Sequence, residues 1–390
     1  MARRSRVALI VESSTIFGRQ VLEGISQYVR SHQPWSIFLE QREYGAMPPR
    51  WLLRSRWDGI ISRPTNRRLA EAYRSMKVPV VDLNSLYSDL GFPRIRSDNR
   101  QIGRLGAQHL LERGFRNFAF CGYSVVEWSA LRREGFVRTL EEHGFTCHLY
   151  ESPWRGRHLP AWDEDQNRMA RWIQQLPKPC GLMACNDPRG QQVLDACRRV
   201  DVAVPEMIAV IGVDNDEVLC RLCHPPLSSI IPNPQRIGYE AAAALDAMMQ
   251  GEPPASMDRL IEPVGVETRQ SSDVLAVEDP EIAAAMKYIR DHACEGCTVN
   301  DVLRFLPMGR SSLERRFRKY LGHSPQAEIS RVRIKRIKQL LAETDLPLSQ
   351  IAELVGFQHP EYMSVVFKRE TGQTPGHYRR EAQLEGQQRR

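Results

Sequence analysis

Two sets of residues in this sequence have types and spacing that could do chemistry, and they call for different chemistry. The first lies where short apolar runs end. Glu12, Ser13, Ser14 and Phe17 follow the run Val7–Val11, Asn186 and Asp187 follow the run closing at Cys185, and Asp214 follows Gly212 and Val213. Carboxylates and amides in such places can hydrogen-bond the hydroxyls of a small polar molecule, and an aromatic ring can cover its apolar face. Trp128 and Trp162, at the starts of amphipathic stretches, are stacking candidates, with burial against a strand as an equal alternative. The second set is basic. Arg310, Arg315, Arg316, Arg318, Lys319, Arg331, Arg333, Lys335, Arg336 and Lys338 crowd one stretch against Glu314 and Glu328. Such density points to a polyanionic partner, with a solvated helix face as the alternative.

The charge balance of the whole chain agrees with that division. Of the net +7, a net +6 lies from Pro280 onward, where 19 Lys and Arg face 13 Asp and Glu. Enzyme signatures are missing: no two of the 25 glycines are spaced as GxG, no Gly-Lys pair exists for a phosphate loop, and neither HExxH nor GxSxG occurs. Asp163, Asp165 and Asn167 imitate the start of a calcium loop. Arg168 stands at its turn glycine and Gln174 at its bidentate glutamate, so a helix start fits better. Catalysis, cofactors and a bound metal are therefore not expected. The nine cysteines are scattered, and the apolar run after Arg6 stops at Glu12, which reads as free thiols in a cytoplasmic protein without a secretory leader. Cys220 and Cys223 with His224, and Cys294 and Cys297, could be drawn as a zinc site, but they fall in different candidate domains. No apolar run approaches the ~18 residues of a membrane span, so no membrane partner is expected.

At 390 residues, two or three cores are expected. From Val7 to about Thr268, apolar runs alternate with amphipathic stretches, the pattern of a parallel α/β architecture. The strand candidates are Val7–Val11, Ser36–Leu39, Gly59–Ser62, Val78–Asp82, Asn117–Gly122, Thr146–Tyr150, Gly181–Cys185, Ile208–Val213 and Leu227–Ile231. Helical periodicity covers Phe17–Ser31, Asn99–Glu112, Trp128–His143, Asp163–Gln175, Pro188–Val200 and Pro234–Gln250. Polar, proline-terminated Ser271–Pro280 reads as a linker, and from Glu281 to Arg379 helix follows helix without a convincing strand. The expected domains are thus 1–270, a linker at 271–280, and an all-α domain at 281–390.

Within the last of these, a helix from Val299 breaks at Pro307-Met308-Gly309 and a second starts near Ser311, a helix-turn-helix. A second copy runs from Leu348 through Gly356-Phe357 to a helix from about His359 to Glu370. The helix between them is ~27 Å long at ~1.5 Å per residue, and two recognition helices ~34 Å apart can enter successive major grooves. The spacing of Ile351-Ala352, Gly356-Phe357, Phe367-Lys368, Gly372, Thr374-Pro375 and Tyr378-Arg379 resembles the double helix-turn-helix of AraC-type transcription regulators. That resemblance implies double-stranded DNA as partner. It places Arg310, Ser311, Ser312, Glu314 and Arg315 on the first recognition helix, and Gln358, His359, Glu361, Tyr362, Ser364 and Lys368 on the second. Arg and Gln can pair with purine edges, whereas Lys368 suits a phosphate. Two departures stand out: Val365 replaces a common basic residue and Met363 a usual Phe, which favours the first helix as the stronger reader.

The first ~268 residues resemble the sugar-binding core of LacI-type regulators and periplasmic binding proteins, through the stretches from Ser97, Leu131, Gly181 and Pro226. By position in those motifs, Asp98, Arg132, Asn186 and Asp214 resemble residues that hold sugar hydroxyls, and Asp187 resembles a ligand carboxylate; Glu12 and Phe17 complete the ligand set. Asp98 and Asp187 also suit helix caps, and Arg132 a surface helix position. The fold expected is a two-lobed α/β sensor followed by an all-α reader. The resemblance implies a cytoplasmic, sugar-responsive activator that is homodimeric, binds operator DNA, takes a pentose such as D-xylose as effector and can contact RNA polymerase. Closure of the sensor would re-orient the readers. Other sugars or nucleosides, and more remotely a sugar-acting enzyme with a DNA-binding tail, are the alternatives.

Overall fold

The computed structural model describes residues 4–32, 34–41, 51–83, 90–154, 161–274, 276–277 and 279–388. The expected linker therefore includes two residues, Leu275 and Glu278, outside the described ones. The chain divides into two compact units, Met1–Val274 and Leu275–Arg390.

The first unit starts with β1 (Arg6–Ile10), α1 (Ile16–Ser31), β2 (Ser36–Leu39), β3 (Gly59–Ser62), α2 (Arg67–Met76), β4 (Val80–Asp82), β5 (Arg94–Ser97) and α3 (Asn99–Leu111). It continues with β6 (Asn117–Ser124), α4 (Glu127–Glu142), β7 (Cys147–Pro153), α5 (Trp162–Gln175), β8 (Cys180–Ala184), α6 (Asp187–Arg199) and β9 (Ile208–Val213). Then come α7 (Glu217–Leu222), β10 (Ser228–Ile231), α8 (Pro234–Met249), β11 (Asp258–Ile261) and β12 (Gly265–Glu267). Two six-stranded sheets result, ordered β11-β5-β4-β3-β1-β2 and β12-β10-β9-β8-β6-β7. The pairings are parallel except that of β10 with β12.

Parallel strands bury both faces, and β1 shows how. Val7 and Leu9 pack with α1 and α8, while Ala8 and Ile10 pack on the other side with Trp57, Leu69 and Tyr73. In each lobe two helices meet through glycine. A Cβ on Gly24 would lie 1.9 Å from the Gln235 carbonyl oxygen of α8. One on Gly103 would lie 2.0 Å from the Arg132 carbonyl oxygen of α4, and one on Gly135 2.0 Å from that of Arg100.

Three strands and two helices of this unit carry no apolar run to announce them. β5 reads Arg-Ile-Arg-Ser, and it is fastened to β11 by ion pairs: Arg94 to Asp258 at 3.0 Å, and Arg96 to Asp258 at 2.9 and 2.8 Å. β11, β12, α2 and α7 were likewise outside the expected set. Ser271 and Ser272, read as the start of a linker, are fully buried in the sensor. Ser271 Oγ donates to the Val210 carbonyl at 2.6 Å and accepts from Ser228 N at 2.8 Å.

The second unit is all-α: α9 (Pro280–His292), α10 (Val299–Phe305), α11 (Arg310–Leu321), α12 (Pro325–Glu343), α13 (Leu348–Leu354), α14 (Pro360–Thr371) and α15 (Pro375–Gln388). Ile334, Ile337 and Leu341 of α12 share a core with Ile351, Met363, Val366 and Phe367. Gly356 turns between α13 and α14 at φ +73°, where a Cβ would also meet the Gly296 nitrogen at 2.6 Å.

Gly103→Ala should force α3 off α4 and destabilise the sensor by ~1–3 kcal/mol, the usual cost of overpacking. Gly309→Ala, with nothing within 4 Å of its Cβ, should cost only the smaller loss of glycine at a helix N-cap. Urea unfolding of both variants checks this, and equal midpoints would refute the packing argument.

Candidate functional site

The carboxyl ends of the parallel strands converge on a cavity of about 300 Å³, where ligands of open α/β sheets bind. Phe17 reaches it from the start of α1, Arg63 from the end of β3, Asn99 from the start of α3, Arg132 and Trp128 from α4, Asn186 and Asp187 from the start of α6, and Asp214 from the end of β9. Tyr123 and Trp154 complete an aromatic wall. Their rings stack with centroids 5.8 Å apart, and Trp128 meets Trp154 edge-on at 5.5 Å.

Arg132 is the polar centre. Buried on α4, it donates from Nε to Asn99 Oδ1 at 3.0 Å and from one terminal nitrogen to the Cys185 carbonyl at 2.6 Å. Its other terminal nitrogen lies 3.5 Å from Asp214, and the guanidinium carbon lies 5.0 Å from the Trp128 ring centre. The fork is thus held from the start of α3 and the ends of β8 and β9, with Trp128 of its own helix beside it.

Asp187 is wholly buried, accepting from Ser229 Oγ at 2.6 Å and from the Asp216 backbone N–H at 2.8 Å. Burial, followed by the neighbouring Asp214, pushes its pKa up to about 8. Burial also raises Asp214, against the pull of Arg132 and Arg63. The Asp214 backbone sits at φ +107°, a region non-glycine residues rarely adopt and that concentrates at functional sites. Asn186 lines the cavity and also caps α6, accepting from the Arg189 N–H at 3.0 Å.

Behind the aromatic wall lies Arg189, 1% exposed, with its guanidinium carbon 5.0 Å from the Tyr123 ring centre. It donates to Asp165 at 2.8 Å, Ser152 at 2.8 Å and Gln192 at 2.7 Å. This network ties β7 and α5 to α6 and fixes the strand end from which Trp154 projects.

In the second unit, α10–α11 and α13–α14 form two helix-turn-helix motifs. On α11, Leu313 and Phe317 are buried while Arg310, Ser311 and Arg315 are exposed, with Ser312 and Glu314 partly so. Arg310 lies 3.5 Å from Glu314. On α14, Met363, Val366 and Phe367 are buried and Tyr362 and Lys368 exposed; Gln358 and His359, just before it, are also exposed. The Ser364 hydroxyl donates to the Pro360 carbonyl at 2.8 Å, so its hydrogen serves the helix rather than a base edge. Two basic residues from the dense stretch are structural. Arg316 clamps Asp279 and Glu281 at the start of α9, its Nε 2.6 Å from Asp279, and Arg333 donates to the Ala293 and Cys297 carbonyls at 2.7 and 3.0 Å.

Comparison with known proteins gives the same two parts. Three family profiles match: the XylR N-terminal domain over residues 6–97, a periplasmic binding protein-like domain over 107–272 and a helix-turn-helix domain over 303–381. The xylose operon regulatory protein of Haemophilus influenzae is 33% identical, covering 96% of this chain and 98% of that one. The chain belongs to the xylose operon regulatory protein family. The Escherichia coli member is 31% identical over 97% of each chain. A solved structure of the xylose-binding transcription activator xylR superposes with a TM-score of 0.83 at 31% identity, covering 97% of this chain and 98% of that one. A periplasmic-binding-protein/LacI regulator from Alkaliphilus metalliredigens, solved with D-xylulofuranose, shares the sensor fold at 22% identity and a TM-score of 0.54. The chain is accordingly a sugar-responsive, DNA-binding transcription regulator of this family. No helix among the described residues is long and apolar enough to cross a membrane.

Against the residues named from sequence, the structure of this xylose-operon-regulator family member makes three corrections. Glu12 is buried and paired with Arg63 instead of facing the cavity, because β1 delivers it to the Arg63 side chain that covers Phe17 at 4.4 Å. Asp98 caps α3, accepting from the Gln101 N–H at 2.9 Å, and its neighbours Ser97 and Asn99 line the cavity. Trp162 is exposed beside Arg199 and away from the lining. Phe17, Arg132, Asn186, Asp187 and Asp214 do come together. Sequence reading missed Arg63, Asn99, Tyr123 and Trp154. The signal for Trp154 was its place after β7, which runs to Pro153 rather than ending near Tyr150.

The raised Asp187 has a pH consequence. The unfolded chain releases that proton at ~3.9 and the folded sensor at about 8, so this group's contribution is full below about pH 4, declines across that window, and is lost above about 8. Asp187→Asn removes the titration. Its melting temperature relative to the parent should therefore climb from pH 4 to pH 8 and then level off. Parallel curves for the two proteins would refute the buried-carboxylate assignment.

Proposed function

We propose that the cavity takes D-xylose and that its occupancy controls operator binding by the C-terminal unit. The observation that carries this reading is the pre-held Arg132 fork facing Asp187 and Asp214 beside the Trp128–Trp154 wall. A monosaccharide presents hydroxyls to the first and an apolar ring face to the second, and about 300 Å³ lies at the small end of ligand sites. Support for a pentose comes from the xylose-binding activator that shares the whole chain's fold. In this reading Arg132 donates to sugar hydroxyls while Asp187, Asp214, Asn186 and Asn99 accept or donate in turn, and Phe17 and Trp154 cover the ring. Glu12 acts through Arg63, and Asp98 by starting α3.

On the DNA side, Arg310 and Arg315 of α11 would read base edges with Ser311, Ser312 and Glu314 around them. Gln358, His359, Tyr362 and Lys368 of α14 would position the second motif. The protein would act in the cytoplasm as a homodimer that activates catabolic genes and contacts RNA polymerase, with the sensor at 1–270 and the reader from 281. It would perform no catalysis.

Thermal denaturation against pentoses, hexoses and nucleosides tests the effector. D-xylose at 100 times its dissociation constant should add ~2.7 kcal/mol of stability. Arg132→Ala or Trp154→Ala should weaken binding about 10- to 150-fold, ~1.5–3 kcal/mol. A hexose or nucleoside that stabilises while D-xylose does not would replace the effector, and consumption of the sugar would revive an enzyme.

A fragment from Asp279 to Arg390, which keeps the Arg316 clamp, should bind DNA with a log–log salt slope of roughly −0.9 per phosphate neutralised. A flat salt profile would remove the nucleic-acid reading.

A further inference from the structure

Helix α3 is fastened at both ends, and the two fastenings belong to different tasks. At its start, Asn99 is 2% exposed, lines the cavity and accepts from Arg132 Nε at 3.0 Å. At its other end, His109 Nε2 lies 2.8 Å from Ser272 Oγ. One turn later Arg113 donates from Nε to the Ser272 carbonyl at 2.8 Å, and from a terminal nitrogen back to the His109 carbonyl at 2.9 Å. Ser272 is buried and also bonded to Ser228 Oγ at 2.8 Å. Two residues beyond it the sensor unit ends.

Between those ends the helix has no joint. Its 13 residues contain no proline and span ~20 Å at ~1.5 Å per residue. Its two glycines are packed shut: a Cβ on Gly103 would meet the Arg132 carbonyl oxygen at 2.0 Å, and one on Gly106 the Met183 sulfur at 2.6 Å. Burial lowers the His109 pKa to about 3, so the far fastening keeps its charge state across physiological pH.

We propose that α3 carries effector binding from the cavity to the segment by which the chain leaves the sensor, with Arg113 and His109 as positioning residues acting through Ser272. The proposal rests on the cavity being the effector site and the second unit the DNA reader. A ligand that recruits the Arg132 fork changes its bond to Asn99. The start of α3 responds, and because the helix is rigid and both ends are bonded, Ser272 moves with it.

The test is linkage in the full-length protein. D-xylose affinity is measured by calorimetry with and without an operator duplex selected from a random pool, for the parent, Arg113→Ala, Arg113→Lys and Arg113→Gln. The parent should show a coupling factor in the usual range of about 5- to 150-fold. Arg113→Ala should keep the D-xylose affinity without DNA and the DNA affinity without sugar, each within about twofold, while its coupling factor falls toward one. Arg113→Lys, which retains a donor, should recover part of the coupling. Arg113→Gln, too short to reach the Ser272 carbonyl yet still polar in the turn after α3, should repeat the loss if the alanine variant fails to fold. A general structural weakening would lower the melting temperature and leave the coupling factor alone. Parental coupling in Arg113→Ala or Arg113→Gln overturns the proposal, as does a parent that binds both ligands without coupling. A parent that binds neither sugar nor a selected duplex overturns the functional reading instead.

Discussion

The close approach of α3 and α4 is the constraint on which the sensor depends. Gly103 and Gly135 each let the partner helix bring a carbonyl oxygen where any side chain would stand, about 2.0 Å from the missing Cβ. That proximity places Asn99 within hydrogen-bond reach of Arg132, and so fixes the guanidinium among the Cys185 carbonyl, Asp214 and Trp128. A buried arginine is tolerable only when its donors are satisfied. Here that satisfaction comes from a helix start and two strand ends, so the site's polarity and the lobe's packing are one arrangement. The same device recurs at Gly24 and Gly238 between α1 and α8, which gives the two lobes equivalent helix pairs beside the cavity.

The buried carboxylates add a second layer. Asp187 and Asp214 lie near each other with burial opposing charge on both, while Arg132 and Arg63 supply opposing charge from α4 and β3. The cavity therefore presents both donors and acceptors, and a polyhydroxylated ligand offers both in return. Electrostatics and hydrogen bonding thus favour occupancy by a molecule rich in hydroxyls over an apolar one.

Much of this was legible in sequence wherever residue pattern follows packing. β1, β8 and β9 are continuous apolar runs because parallel strands are buried on both faces, and their ends located Phe17, Asn186, Asp187 and Asp214. What failed to show was structure held by charge or by geometry. β5 is half arginine and is paired to β11 through Asp258, so a search for apolar runs passes over it. Arg63 and Glu12 follow the neighbouring strands β3 and β1, whose register is not written in either segment. Asp98 stood one residue from the lining because a helix cap must face its own backbone, leaving Asn99 to face Arg132. In the second unit the basic count alone could not separate Arg315, which is exposed, from Arg316, which bonds Asp279 and Glu281. That distinction needs the helix's packed face, set by Leu313 and Phe317.

The bonds at Ser272 and Asp279 also bear on how such a chain can be assembled from parts. Ser272 is locked to His109, Arg113 and Ser228, and Asp279 is locked to Arg316 while capping α9. The bonds of Ser272 thus stay within the first unit and those of Asp279 within the second, and the seam between the units in sequence falls at Val274 and Leu275. Recombination at that seam breaks no tertiary bond of either Ser272 or Asp279. A cut there would leave each part with the bonds that anchor its end, the sensor at Ser272 and the reader at Asp279.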